Sequence, residues 1–387
     1  MQHRYYRAIS LVILIITLTL SACRLRDATE NMEPVDRTYP ESTNKPPSII
    51  LGDDVNTLDT TNKVDETEQT TESELITESE TTEPVPETTE PVPETTEPVP
   101  ETTEPVNVEI TTYSISDIEH SGRDVITYGT IPSDTIQSLE TLLDAYPKNI
   151  SLAVYSLDGS KAVVYNGKQQ YFSACTVKVP WVIWLCKAID DETVNPNTYL
   201  TYEERHYQGG SGVIRKYGYG KSYKISTLIN YCLSISDNCA YRMIIEQVGR
   251  QNFKDYISNL PLKYFNVPDY SIWCSQSIVT DFLVLWQDAY NYMITDTVGA
   301  KLFKESCTNT KWNYGSFTVK NYDYSHKSGD NFGSNCVYND AGLVWSENPY
   351  VYAVFTKSEG TDYDTECVNK IMDILHKEFQ SQGNTTD

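Results

Sequence analysis

From about Val108 onward, the apolar positions of this chain fall into periods that predict secondary structure. Over residues 133–145, Ile136, Leu139, Leu142 and Leu143, followed by Tyr146, share one face of a helix. Ile150–Ser156 and Lys161–Tyr165 read as two strands joined at Asp158-Gly159. A strongly apolar helix is expected over Cys175–Ala188. Further helices are expected over Ile225–Ile235, Ala240–Val248 and Thr280–Tyr292. Three late strands follow, over Ser316–Lys327, Cys336–Trp345 and Val351–Thr356, and an amphipathic helix over Thr365–Phe379 closes the pattern. Strands at both ends with helices between them predict an α+β domain over 108–387. Its antiparallel sheet is built from both ends of the domain and flanked by helices, with a helical subdomain in the middle. A chain of that length buries a substantial core.

The first 107 residues follow no such pattern. Arg4 and Arg7 precede an apolar run from Ile9 to Leu20, which is too short to span a bilayer comfortably. The run ends in Leu20-Ser21-Ala22-Cys23, which resembles the lipobox of bacterial lipoproteins. That resemblance implies a signal peptide over 1–23, a diacylglycerol on the Cys23 thiol and anchoring on the outer face of the bacterial cell membrane. Residues 24–107 hold one aromatic residue, Tyr39, and cannot bury enough apolar surface to offset their ordering entropy. From Thr81 the heptapeptide Thr-Thr-Glu-Pro-Val-Pro-Glu recurs at Thr88 and Thr95, and partially at Thr102. Two prolines per repeat exclude a helix and favour an extended, disordered linker. Either a tether of defined reach or a tail with no length requirement fits that composition.

Charge sharpens this division. The chain carries a formal −24, and 24–107 alone holds 22 acidic against 5 basic residues. Phosphate backbones repel such a chain, so no nucleic-acid partner is expected. None of the nine cysteines sits in a C-x-x-C pattern, and neither a metal nor a cofactor is implied. The chain is expected to act as a monomer.

Three short motifs carry the chemistry. Cys175-Thr176-Val177-Lys178 opens the apolar helix, Ser236-Asp237-Asn238 follows the next one, and Lys327-Ser328-Gly329 is expected to end a strand. Each is common alone, but their order, spacing and context are not. Positions i and i+3 share a helix face, so Lys178 can reach the Cys175 sulfur. A helix N-terminus and a nearby cation both favour a thiolate, the form in which cysteine is a nucleophile.

Over about 130–380 the chain resembles the class A β-lactamase and penicillin-binding (DD-peptidase) superfamily, whose motifs are S-x-x-K, S-D-N and K-T-G. Phe172-Ser173-Ala174-Cys175 and Gly210-Ser211-Gly212 support the likeness. The resemblance implies acyl transfer on β-lactams or D-Ala-D-Ala-like peptidoglycan stem peptides. Cys175 would be the nucleophile in the serine position, Lys178 and Ser236 would move protons, and Asn238 would hold the substrate amide. Lys327 and Ser328 would bind the substrate carboxylate, Gly329 would admit its backbone, and the N–H of Asp330 would complete the oxyanion hole. Asp237 is read as structural.

Two departures stand out. Serine is replaced by Cys175, and Ser173 cannot substitute because Thr176, not lysine, lies three residues on. The glutamate that activates the deacylating water in class A enzymes also lacks a counterpart: Glu246 falls in a helix, Glu305 lacks the loop context, and Asp269 reads as a turn residue. The rival reading is therefore a catalytically silent, peptidoglycan- or penicillin-binding lipoprotein; a scaffold for adhesion is a third. Cys186 and Cys232, on the two helices flanking the site, are either a disulfide or two reduced core thiols. His326 reads as an exposed strand histidine, with tuning of Lys327 as the alternative.

Overall fold

The computed structural model describes residues 111–118, 122–274, 276–308, 310–312 and 314–381. The signal segment, Cys23 and the acidic repeats lie outside the described residues. In chain order the strands are β1 (Val125–Tyr128), β2 (Ile150–Ser156), β3 (Ala162–Tyr165), β4 (Tyr199–Thr201), β5 (Ser222–Lys224), β6 (Asp323–Asn331), β7 (Val337–Trp345) and β8 (Tyr350–Thr356). The helices are α1 (Ser133–Ala145), α2 (Lys178–Asp190), α3 (Ile225–Ser234), α4 (Asn238–Val248), α5 (Arg250–Ser258), α6 (Val279–Met293), α7 (Val298–Thr308) and α8 (Asp362–Gln380).

Six strands form one antiparallel sheet in the order β1-β3-β2-β8-β7-β6, while β4 and β5 form a separate ribbon. The register from Ile150↔Thr356 to Ser156↔Tyr350 joins the two ends of the domain, as the late strands predicted. Successive side chains of β2 and β8 go to opposite faces. Leu152, Val154, Tyr352 and Val354 pack under α1 and α8 with Leu139, Leu143, Ile371 and Leu375. Ala153, Tyr155, Ala353 and Phe355 join the larger core beneath α2, α3, α4, α6 and α7. Both faces are covered, which is why these strands read as continuous apolar runs rather than alternating ones. Helix α2 is buried nearly all round, with Trp181 stacked on Phe253 at 3.7 Å between ring centroids. An apolar sequence on every side of a helix calls for such a position.

The third motif strand differs from its expected bounds. Gly315–Thr318 is a 3-10 turn, and β6 runs on to Asn331, so Lys327-Ser328-Gly329 sits inside the strand rather than at its end. The hairpin with β7 pairs Lys327 with Ala341 and Asp330 with Tyr338. That long-range pairing, not a local signal, extends the strand. Helices α5 and α7 and strands β1, β4 and β5 were not anticipated. Helix α5 is polar on balance and buries a single residue, Phe253, so few apolar positions mark it in the sequence.

Candidate active site

The turn from Ser173 to Val177 leads directly into α2 and is stapled from several sides. Thr176 Oγ1 donates to Ser173 O at 2.7 Å, and Asn339 Nδ2 on β7 donates to Phe172 O at 2.9 Å. Ala174 is forced to φ +49°, a left-handed conformation costly for any residue with a Cβ. The half-buried Cys175 is thereby presented at the head of the helix. A Cβ added to Gly329 on β6 would lie 2.6 Å from Cys175 N and 2.9 Å from Thr176 N. Only glycine lets the edge strand approach the turn this closely.

Lys178 is fully buried, and its Nζ donates to Ser236 O (2.7 Å), Ser236 Oγ (3.1 Å) and Asn238 Oδ1 (2.7 Å). Three acceptors match the three N–H donors of an ammonium group. The Cys175 thiol meets Asn238 Oδ1 at 3.9 Å, so the contact linking sulfur and lysine passes through Asn238. Asn238 Nδ2 is bonded to Gly209 O at 2.7 Å. Asp237 binds four backbone N–H groups. Its Oδ1 takes those of Cys239 and Ala240, capping α4, and its Oδ2 takes those of Val213 and Ile214. It therefore ties the 209–214 loop to the second motif, the structural part its sequence context suggested. Ser236, at φ +56°, is the second strained position of the site.

On the outermost strand, Lys327 is 2% exposed and donates to Ser328 O at 2.8 Å. Burial lowers the pKa of its ammonium, the nearby Cys175 opposes that shift, and Lys178 adds to it. The Ser328 hydroxyl donates to Trp312 O at 3.1 Å, so its proton is already committed within the protein. His326 corrects the sequence reading. It is fully buried, with Nδ1 bonded to Asp340 at 2.9 Å and Nε2 to the Thr310 hydroxyl. Alternation along β6 turns it into the packed layer between the strand and Asp340, and the local sequence does not reveal that layer.

With this geometry in hand, the comparisons are decisive for kinship. The model of the beta-lactamase enzyme family matches residues 133–379. The chain belongs to that family. Among solved structures it is similar to PBP-A, with a TM-score of 0.58 at 20% identity over 65% of this chain and 98% of that one. A point mutant of PBP-A, solved as an acyl-enzyme complex with penicillin G, gives 0.57 at 20% identity over 64% and 97%. The β-lactamase of Sphaerobacter thermophilus DSM 20745 gives 0.55 at 19% identity over 63% and 95%. At such identities these neighbours establish the fold. No curated protein matches the chain.

Within this β-lactamase-family domain the candidate water-activating carboxylates are held elsewhere. Arg205 binds both oxygens of Glu246, and His206 approaches one. With Arg205 the main cause, its pKa is pulled down to about 2. Asp269 is exposed and paired with Lys254, which lowers its carboxyl. Cys186 and Cys232 are free thiols buried in the core, and burial pushes Cys232 up to about 12 against the pull of Lys178 and Lys327. Two neighbours of the site escaped the sequence reading. Lys178 Nζ lies 5.5 Å from the Tyr241 ring centroid and 5.8 Å from that of Trp273. Tyr241 was within reach of inference, because it lies three residues after Asn238 on the same helical face. Trp273 comes from a distant loop and was not.

Proposed function

We propose that this domain is an acyl-transfer enzyme of the β-lactamase and DD-peptidase kind, acting through a covalent thioester on Cys175. The observation that carries the reading is the convergence of Cys175, Lys178, Ser236 and Asn238 beside Gly329 on the edge strand. Cys175 attacks the carbonyl carbon of a β-lactam or D-Ala-D-Ala-like amide as the thiolate, its S–H proton having been released to solvent. The backbone N–H groups of Cys175 and Asp330 receive the developing oxyanion. The C–N bond then breaks, and the leaving nitrogen takes a proton delivered from Lys178 through the Ser236 hydroxyl. Lys327 supplies positive charge to the substrate end of the site. With Glu246 and Asp269 engaged elsewhere, the thioester is expected to persist for minutes or longer.

Intact-mass spectrometry after incubation with a penicillin tests this reading. One β-lactam mass is expected on Cys175, labile to hydroxylamine and absent in Cys175→Ala. If neither penicillins nor D-Ala-D-Ala peptides ever acylate Cys175, the enzyme reading is wrong. A binding module is the second reading, and the full occupation of the Lys178 donors favours it. It predicts equilibrium binding of stem peptides without turnover. We further propose that the domain is displayed outside the cell membrane on a lipid at Cys23. Cys23→Ala should then release the protein from membranes, and unchanged fractionation would refute anchoring.

A further inference from the structure

An acidic chain carries one long stretch with no acid in it. From Arg205 to Ser236 there is neither Asp nor Glu, while Arg205, Arg215, Lys216, Lys221 and Lys224 all fall there, in a chain of formal charge −24. Exposed tyrosines gather on the same stretch and on the strand before it: Tyr199, Tyr207, Tyr217 and Tyr219 are between 42% and 55% exposed. In the ribbon, Tyr199 pairs with Lys224 and Thr201 with Ser222, on the face opposite the buried Tyr223. Lys224 Nζ stands 5.9 Å from the Tyr199 ring centroid. The turn leading into β5 is tied to the end of β4, with Gly220 N donating to Tyr202 O and Tyr202 N to Lys221 O. Tyr219 rests on the buried Tyr202, at 5.2 Å between ring centroids. Among the described residues none of Arg215, Lys216, Lys221 and Lys224 forms an ion pair, whereas Arg205 is held by Glu203 and Glu246.

This surface adjoins the active site. Asp237 takes the N–H groups of Val213 and Ile214, where the basic turn begins, and Gly209 O and Ser211 O hold Asn238. Half-exposed phenol rings offer apolar faces to the C–H groups of sugar rings while their hydroxyls stay wet. Arg and Lys side chains without a carboxylate partner attract one from outside. A polymer that offers both chemistries, beside a site read as one for stem-peptide amides, is a glycan strand bearing acidic peptides. We propose that this surface binds the glycan strand of peptidoglycan, with the tyrosines on its sugars and the basic residues on its stem-peptide carboxylates, and so holds the polymer beside Cys175. The proposal rests on the reading of the site as one for stem peptides, since a peptide tethered in this way reaches the site at a raised local concentration. It does not require acyl transfer.

Co-sedimentation of the full chain with peptidoglycan sacculi tests the proposal, in the Cys175→Ala background so that no acyl transfer enters. Binding is expected to weaken about tenfold with Tyr217→Ser plus Tyr219→Ser. It should weaken about fivefold with Arg215→Ser plus Lys216→Ser at low salt. All four side chains are exposed, so folding should survive their loss. Tyr217→Phe plus Tyr219→Phe keeps both rings and should bind as the parent does. Sacculi stripped of their peptides by an amidase should lose the effect of the basic pair and keep that of the tyrosine pair. Sacculi left unbound by the parent protein, or bound equally by both serine variants, overturn the proposal. Equal binding together with faster cleavage of 81–107 by a glutamate-specific protease assigns the surface to the chain's own acidic repeats, and overturns it as well. Binding that follows the tyrosines and the bases supports the proposal even if Cys175 is never acylated in the native chain, a failure that refutes only the acyl-transfer reading.

Discussion

Asp237→Asn is the sharpest test of how the second motif is built. The carboxylate accepts from Cys239 N and Ala240 N, both at 2.9 Å, through one oxygen, and from Val213 N at 2.6 Å and Ile214 N at 2.9 Å through the other. An amide has one acceptor oxygen, so either the α4 cap or the loop anchor must face an N–H₂ group. Two bonds to a charged acceptor are lost, each worth about 1.5–3 kcal/mol, giving roughly 3–6 kcal/mol in all. The side chain is 1% exposed, so water cannot replace them. The loss is a large share of the roughly 5–15 kcal/mol that holds a typical domain. Because a rotated amide retains the helix cap, the 209–214 loop is the part expected to give way. That loop also holds Asn238, through Gly209 O and Ser211 O. Urea unfolding followed by tryptophan fluorescence should report the stability loss. At a temperature where the variant stays folded, protease should cut within 209–216 faster than in wild type, and Cys175 acylation should slow. A variant within about 1 kcal/mol of wild type, with unchanged proteolysis, would refute the claim that this carboxylate holds the loop.

His376 gives a pH prediction. Burial lowers its pKa from 6.5 to about 4, with its ring accepting from the Tyr350 hydroxyl and donating to Gly315 O. A base whose folded value is depressed contributes stability that is complete above the unfolded value and lost as pH falls from 6.5 towards 4. The loss is about 3 kcal/mol, and His376→Gln should flatten stability over that window; a slope identical to wild type would count against it. Gly329→Ala drives a Cβ into the backbone of the Cys175 turn. It should cost about 1–3 kcal/mol and abolish Cys175 acylation, whereas wild-type acylation in the variant would show that the contact is not needed. Iodoacetamide at neutral pH should label Cys175 well before the buried Cys186 and Cys232. Equal labelling in the native state would mean that the core opens.

Periodicity and motif spacing determined a good deal. The grouping of Cys175, Lys178, Ser236, Asn238 and Lys327 was implied by the resemblance of three motifs to a known family, while the α+β class, the pairing of strands from both ends of the domain and most helix positions are readable from local pattern. Local pattern suffices there because burial on a helix face or strand is written into residues three, four or two apart. Tertiary structure decided what depends on a partner distant in sequence. It carried β6 past Lys327 through pairing with β7, and it buried His326 against Asp340, fourteen residues away. It set Trp273 beside Lys178 and committed the Ser328 proton to Trp312 O. It also gave Gly329 its reason, the backbone of Cys175, 154 residues earlier in the chain. A hydrogen bond or a close approach of this kind is satisfied by any chain segment that arrives with the right geometry. Only the assembled fold determines which segment arrives.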